Sequence, residues 1–222
     1  MDLIEAMRER HSVRRYLNKP LDAGTVAALE KFIEECNAES GLHIQLVKDE
    51  PKAFDGAMAH YGNFSGVTNY IAVIGKKGVG FEEKCGYYGE KIVLYAQTLG
   101  LNTCWVALTF KKIPSAYKVD RGEKLEIVIS LGYGETQGKE RKTKTAREVS
   151  NINDASPDWF RSGVEAALLA PTATNQQKFT LTLEGDKVKA KAGFSYYTKV
   201  DLGIVKYHFE LGSGKDSSIW KW

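Results

Sequence analysis

Two nearly continuous apolar runs, residues 103–108 and 125–131, constrain the fold more than any other feature of the chain. Both are rich in strand-forming residues, and such unbroken apolar character is typical of central strands covered by helices on both faces. A third run, residues 70–74, predicts another strand. A long helical pattern over residues 87–99 ends at Gly100, the usual left-handed residue after a helix. The chain is therefore predicted to form an α/β sandwich.

The order helix, strand, strand, helix occurs twice along the chain. Helical patterns over residues 24–36 and 87–99 enclose the strands of the first copy, and those over 164–170 and 201–211 enclose the strands of the second. The polar, charged stretch 134–153 between them predicts an extended linker. Two interpretations stay open: the copies are related halves, or common elements recur by chance.

Composition limits the function without choosing it. The 222 residues are 43% hydrophobic and carry a net charge of +3, so we expect no nucleic-acid partner, and any anion recognition must be local. Three widely spaced cysteines without a metal-like grouping favour free thiols in a reducing compartment. No apolar run approaches membrane-spanning length, and residues 1–10 lack the apolar core of a signal peptide. We therefore expect no membrane partner and a cytoplasmic location.

A basic cluster lies near the amino terminus, where Arg10, His11, Ser12, Val13 and Arg14 follow a short amphipathic stretch. Guanidinium groups bind anionic oxygens through paired hydrogen bonds, and a serine with neighbouring backbone N–H groups can complete the site. The cluster thus suits a phosphate or another oxyanion. The alternative is a solvated basic surface at the end of a helix.

Four stretches together resemble the nitroreductase family of FMN-dependent NAD(P)H oxidoreductases: RERHSVRRY, GYYGEKIVLYAQTLGLNTCWV, VISLGYGE and KERK. They occur in the family's order within residues 1–150. The resemblance implies an α/β (α+β) fold in which a central mixed, mainly antiparallel sheet is flanked by helices.

A fifth stretch is displaced. The family's P-S-x-x-N segment normally follows the first long helix and reaches the flavin of a partner subunit, but here that place reads CNAESGLH. The similar LLAPTATNQQKF lies in the second half instead. We therefore expect an FMN-binding half at residues 1–150 and a shorter half at 151–222 that completes the pocket. A monomer with pseudo-dimer architecture and a homodimer with swapped halves both stay open.

The resemblance also implies roles for individual residues. Basic and hydroxyl side chains would hold the FMN phosphate or ribityl chain, one arginine would stabilise the negative charge of reduced flavin, and backbone amides would face its N5 atom. These residues are Arg10, Ser12, Lys139 and Arg141 for the phosphate, Arg14 for the charge, and Ala107 and Leu108 for N5. His11 would contribute its backbone, and the second half would contribute Pro171, Thr172, Thr174 and Asn175.

Some of these assignments have plain alternatives. Lys142, Lys144 and Arg147 lie in the same basic stretch as Lys139 and Arg141, so their register is open, and a solvated linker would have the same composition. Pro, Thr and Asn also favour ordinary loops.

The implied reaction passes a hydride from NADH or NADPH through flavin N5 to a small-molecule electron acceptor such as a nitroaromatic, a quinone or a flavin. It needs no metal and no nucleophilic side chain. Several aromatic residues could line an open face for the acceptor: Tyr61, Phe64, Phe110, Tyr196 and Tyr197. Packing in the core is the alternative for these side chains. The alternatives are a flavin- or basic-patch-binding module without turnover, or a different flavin chemistry such as dehalogenation on the same fold.

Overall fold

A computed structural model describes residues 1–221 of the chain and divides into two units. The first unit comprises Met1, Glu9–Phe81 and Lys91–Glu140. The second comprises Asp2–Arg8, Glu82–Glu90 and the chain from Arg141 onward. The chain thus leaves the first unit inside the stretch predicted to be a linker. The hypothesis of two related halves, 1–150 and 151–222, stays a prediction.

Within the described residues, helices and strands alternate along most of the chain. The helices are α1 (Leu3–Glu9), α2 (Ala23–Ser40), α3 (Ala57–Tyr61), α4 (Phe81–Thr98), α5 (Ala146–Val149), α6 (Asp158–Leu169) and α7 (Thr198–Ser213). The strands are β1 (Gln45–Val47), β2 (Asn69–Lys76), β3 (Asn102–Val106), β4 (Glu123–Gly132), β5 (Phe179–Glu184) and β6 (Lys187–Ala192). Short 3₁₀ turns lie at Ala173–Asn175 and Ser217–Ile219. None of these helices is long and apolar enough to cross a membrane.

The first unit is built on a four-stranded antiparallel sheet in the order β1-β2-β4-β3. Every residue of β2 except Lys76 is buried, as its apolar sequence predicts. A parallel bridge between Ser12 and Thr103 adds the segment after α1 to the edge of β3. The predicted fold class is therefore confirmed: a mixed α+β structure with a mainly antiparallel sheet flanked by helices.

Helix α2 has clear signals at both ends. The carboxylate of Asp22 accepts a hydrogen bond from the amide of Thr25 at 2.9 Å, which satisfies a donor of the first turn. Gly41 has a φ of 69°, and its N–H donates to the carbonyl of Asn37. This left-handed residue ends the helix about one turn beyond the predicted range 24–36.

The second unit packs α6 and α7 together and joins them to the β5–β6 hairpin. The inner face of the hairpin buries Phe179, Leu181 and Val188, which alternate with outward residues. Gly163 of α6 lies against the ring of Phe209, where a Cβ atom would overlap the ring. The missing side chain therefore allows close packing of the two helices.

The predicted linker is not extended throughout. Thr145 and Glu148 form a capping box: the Glu148 carboxylate accepts hydrogen bonds from the Thr145 amide and hydroxyl, both at 2.8 Å. These bonds stabilise the short helix α5. Composition alone did not reveal it, because four residues are too few to show a helical period.

A histidine and a glutamate are fully buried together in the second unit. The Nε2 atom of His208 lies 2.8 Å from the Glu90 carboxylate, and its Nδ1 atom lies 3.2 Å from the carbonyl of Ala166. Both ring nitrogens of His208 therefore face oxygen atoms. The sequence gives no warning of this pair, because its members are 118 positions apart.

Candidate active site

The predicted basic cluster runs beside β3 in the first unit. The amide of Val13 donates to the carbonyl of Thr103 at 3.0 Å, so the segment continues the sheet edge for a few residues. Alternation along this extended segment buries Val13 and leaves Ser12 and Arg14 exposed on the other side. Arg10, just after α1, is only 5% exposed. The sheet edge therefore fixes the spacing of these polar side chains.

Three of the predicted flavin-binding side chains influence the pKa of one buried thiol, that of Cys104 in β3. Burial raises the pKa of this thiol, while the charge of Arg14, a hydrogen bond with Ser12 and the charge of Arg10 each act to lower it. The bridge between Ser12 and Thr103 holds the segment that carries these side chains along the edge of the same strand.

The backbone around Arg14 is held from two sides. Its carbonyl accepts from the amide of Ser65 at 3.0 Å, and its guanidinium lies 5.9 Å from the centre of the Phe64 ring. The buried hydroxyl of Tyr16 donates to the carbonyl of Val13 at 2.7 Å and lies 2.8 Å from the Ser130 hydroxyl. Such fixed backbone and ring contacts preorganise a cationic group for binding.

The Gly-Tyr turn after β4 brings the chain back beside the segment that carries the basic cluster. The amide of Gly134 donates to the Asn102 side chain, which in turn donates to Gln137, both at 2.9 Å. Gly138, with a φ of 85°, lies so close to His11 that a side chain there would collide with it. Lys139 follows directly and is exposed. The contact between Gly138 and His11 therefore brings Lys139 to the neighbourhood of the basic cluster, and its role toward a flavin stays a prediction.

Ala107 and Leu108 lie in the irregular segment just after β3 ends at Val106. Among the described residues, neither amide donates a backbone hydrogen bond, and Leu108 is 70% exposed. Two amides with this freedom fit the predicted role of donors to a bound ligand. Their register against the flavin stays a prediction.

The displaced motif in the second unit forms a loop with an unusual backbone. Thr174, Asn175 and Gln177 have φ values of 50°, 56° and 46°, in the left-handed region. That region is uncommon for side chains other than glycine and costly for a β-branched threonine. The amide of Gln177 donates to the Thr172 hydroxyl at 3.0 Å, which closes the loop. The loop around Pro171 is therefore held in one strained conformation.

The basic stretch that follows residue 140 is bound to this loop. The guanidinium of Arg141 donates to the carbonyls of Leu168 and Ala170, both at 2.8 Å, at the end of α6. The Asn175 amide group donates to the carbonyl of Lys142 at 2.8 Å. The basic stretch and the loop of the displaced motif, both singled out from the sequence, are thus hydrogen-bonded to each other within the second unit. Arg141 supports the loop.

Asp201, in the first turn of α7, is the residue that sequence analysis missed. Its carboxylate is 4% exposed and accepts from the Ala173 amide at 2.9 Å and the Gln176 side chain at 2.8 Å. Burial raises its pKa to about 6, although both hydrogen bonds act in the opposite direction. An aspartate at the start of a helix usually indicates only a favourable dipole contact, so its position gave no signal for this role.

The raised pKa of Asp201 should make the free energy of unfolding depend measurably on pH. Its folded pKa of about 6 exceeds the ordinary value of 3.8, so the folded state binds more protons between these values. The free energy of unfolding should therefore fall as pH rises through this window, by up to about 3 kcal/mol from this group. In the Asp201→Ala variant this contribution disappears. Urea unfolding of both proteins at pH 4 and pH 7 tests it, and an identical pH dependence would contradict the assignment.

Three side chains of the types that can bind a metal ion lie close together elsewhere in the first unit. The His43 Nδ1 atom is 2.8 Å from the Glu123 carboxylate and 4.0 Å from that of Asp120. Lys118 pairs with the same Asp120 carboxylate at 2.9 Å. Of these three side chains only Asp120 is exposed, and Lys118 gives its carboxylate a cationic partner.

Comparisons with known proteins support the fold described above. A family model described as “Putative TM nitroreductase” matches residues 2–213. A solved structure of similar description, from Thermotoga maritima MSB8, superposes with a TM-score of 0.67 at 25% identity, covering 96% of this chain and 83% of that one. No curated protein sequence matches the chain.

Two further solved structures are more distant and support the fold alone. An FMN-dependent nitroreductase from Clostridium difficile R20291 has a TM-score of 0.51 at 18% identity, covering 69% of this chain and 99% of that one. A structure of a similarly described nitroreductase in complex with FMN, from Desulfovibrio desulfuricans, has a TM-score of 0.50 at 17% identity, covering 71% of this chain and 99% of that one.

Proposed function

This chain belongs to the nitroreductase family, and from that premise we propose that it is an FMN-dependent oxidoreductase that takes hydride from NADH or NADPH. The proposed electron acceptor is a small molecule such as a nitroaromatic, a quinone or a flavin. The observation that carries the proposal is the segment with Arg10, Ser12 and Arg14, which is held along the edge of β3 by the Ser12–Thr103 bridge and the Val13–Thr103 hydrogen bond. The names of the related structures, which include FMN-dependent enzymes, support the choice of cofactor.

The chemistry of this donor set fits FMN. A flavin phosphate carries up to two negative charges and needs several donors, and the first unit offers two guanidinium groups, a hydroxyl and an ammonium. In the proposal, Arg10, Ser12 and Lys139 hold the phosphate and ribityl chain, with the backbone of His11 beside them. Arg14, fixed against Phe64, supplies a positive charge for the flavin ring.

When bound, FMN supplies the hydride-accepting and electron-donating chemistry, which no side chain of this protein can provide. The protein itself would orient the flavin ring, shield it from solvent and place a positive charge beside it. The amides of Ala107 and Leu108 are proposed to donate hydrogen bonds at its N5 edge. Backbone donors at this place explain why the site needs no titratable catalytic side chain.

The second-unit residues Arg141, Pro171, Thr172, Thr174 and Asn175 are proposed as further contacts to the flavin. Their support is the sequence motif together with the conformation of the loop itself, because left-handed threonine and glutamine residues persist only where their surroundings impose them. Strain of this kind is concentrated at functional sites. Arg141 would then act by holding the loop as well as by its charge.

Under this proposal the protein acts in the cytoplasm on small molecules, with no nucleic-acid or membrane partner. Its site is either complete in one chain, as in a pseudo-dimer, or shared by two chains in a homodimer. Light scattering of the flavin-loaded protein distinguishes these alternatives. A binding module without turnover, or a different flavin chemistry such as dehalogenation, is the rival function.

The proposed function predicts a coloured protein. After incubation with FMN and gel filtration, the purified chain should be yellow, and anaerobic addition of NADH or NADPH should bleach the flavin absorbance. Addition of a quinone should then restore the colour, because the electrons pass to the acceptor. A protein that stays colourless after the incubation would contradict the proposal, and a yellow protein that neither dinucleotide bleaches would favour the module without turnover.

A further inference from the structure

A buried tyrosine holds the backbone of the basic cluster in the first unit. The side chain of Tyr16 is buried, and its hydroxyl donates to the carbonyl of Val13 at 2.7 Å. The Ser130 hydroxyl of β4 lies 2.8 Å from the same phenol oxygen. Because the one phenol proton goes to Val13, Ser130 is the donor in this second contact. A hydroxyl that accepts a hydrogen bond is also a stronger donor, so the contact with Ser130 strengthens the bond to Val13.

The whole of Tyr16 is fixed, and its hydroxyl stays a donor. Burial raises the pKa of this phenol well above its ordinary value, and the nearby Cys104 thiol acts in the same direction. The hydroxyl therefore keeps its proton at neutral pH. The amide of Tyr16 donates to the carbonyl of Ser65 at 3.0 Å. The ring lies against Gly132, where a Cβ atom would come within 3.0 Å of it.

The bond from Tyr16 fixes the peptide group that leads into Arg14. Val13 is held on both sides, because its amide donates to the carbonyl of Thr103 at 3.0 Å and its carbonyl accepts from Tyr16. The next peptide group is held as well, since the carbonyl of Arg14 accepts from the amide of Ser65 at 3.0 Å. Each peptide group is a rigid plane, so fixing the planes on both sides of Arg14 also fixes the direction in which its side chain leaves the backbone.

We infer that Tyr16 is a positioning residue for the flavin site, which acts through Val13 to hold Arg14 where its charge favours reduced FMN over oxidised FMN. The inference rests on the proposed function, in which Arg14 places a positive charge beside the flavin ring. The ring becomes more negative when it is reduced. Because the attraction between two charges depends on their distance, a guanidinium that loses its fixed position loses part of this preference.

The test is the Tyr16→Phe variant, which keeps the ring and removes the hydroxyl. Fluorescence titration of the apoprotein gives the Kd of oxidised FMN, and a redox titration of bound FMN gives its midpoint potential. The Kd should rise about twofold for oxidised FMN and about tenfold for reduced FMN. This fivefold difference makes the midpoint potential more negative by about 20 mV for a two-electron couple.

The matched control is Tyr70→Phe, which makes the same change in the same sheet. Tyr70 of β2 is fully buried and pairs with Ser130, and its hydroxyl makes no hydrogen bond within residues 1–221. This variant loses the same atom without touching Val13. Its Kd for FMN and its midpoint potential should therefore equal those of the unchanged protein. Circular dichroism and urea unfolding of both variants measure any loss of structure or stability.

A double variant separates positioning from general packing. In the Arg14→Gln background, Tyr16→Phe should leave the midpoint potential unchanged, because the charge that Tyr16 positions has been removed. An equal shift with and without Arg14 would overturn the inference. So would an unchanged midpoint potential in Tyr16→Phe alone, even if this variant loses stability. If the unchanged protein binds FMN and the shift is absent, only this inference fails. If the unchanged protein binds no FMN, the proposed function fails as well.

Discussion

Replacing Arg10 by Gln is expected to weaken FMN binding by about tenfold to a hundredfold. A hydrogen bond to a charged group contributes about 1.5–3 kcal/mol, and the amide of Gln keeps much of the side-chain volume while removing the charge. Arg10 is 5% exposed, so its guanidinium is already positioned by the protein before an anion arrives. The measurement is fluorescence quenching of FMN as it is titrated with the apoprotein.

The matched control is Arg15→Gln, which removes the same charge five residues away. Arg15 is exposed, and its contacts are made by the backbone, through a bridge with Ser65 and a carbonyl that accepts from Glu135. FMN binding of this variant should change by less than about twofold, since only a screened surface charge is lost. Circular dichroism confirms that both variants are folded. Equal FMN binding by the two variants would show that the register of the basic cluster is wrong.

The largest effect on stability is expected from His208→Ala, which should lower the free energy of unfolding by about 3–5 kcal/mol. The substitution removes the imidazole that lies 2.8 Å from the Glu90 carboxylate in a region where both side chains are fully buried. The carboxylate keeps its desolvation cost but loses this partner, and the missing ring leaves a cavity as well. Urea unfolding followed by circular dichroism measures the change.

Two comparisons identify the cause of that loss. The double variant His208→Leu/Glu90→Leu should be less destabilised than His208→Ala, because it removes the buried charge together with its partner. The exposed pair of Lys48 and Glu30, 2.6 Å apart, is the control. Lys48→Ala should cost no more than about 1 kcal/mol, since both charges are solvated. A loss in His208→Ala no larger than in Lys48→Ala would mean that the buried pair contributes little to stability.

The sheet of the first unit follows closely from the sequence because its signals are local. An unbroken apolar run such as residues 70–74 specifies a covered strand wherever it lies, and Asp22 marks the start of α2 through a bond to a residue three positions away. Because these signals involve residues that are neighbours in the chain, they can be recognised without knowledge of the rest of the fold.

The candidate site could be predicted only in part, because much of it depends on distant pairs. Arg10, Ser12 and Arg14 were recognised as one cluster, since they are close in the sequence. Asp201 was missed because the amide that it holds, that of Ala173, is 28 positions away. The left-handed backbone of Thr174 was equally hidden, because it is imposed by tertiary contacts against the residue's own preference. A local sequence motif can indicate a binding loop, but it cannot show which tertiary contacts hold the loop in its conformation.

The burial of all three cysteines has a consequence for chemical durability. Burial raises the pKa of Cys36 to about 11 and also raises that of Cys104, so at neutral pH neither sulfur carries much of the thiolate that oxidants attack. A reduced flavin can pass electrons to oxygen where oxygen is present, and the products oxidise thiolates. This chain keeps its most oxidisable side chains out of their reach, and so its working lifetime should not be limited by damage to its own thiols.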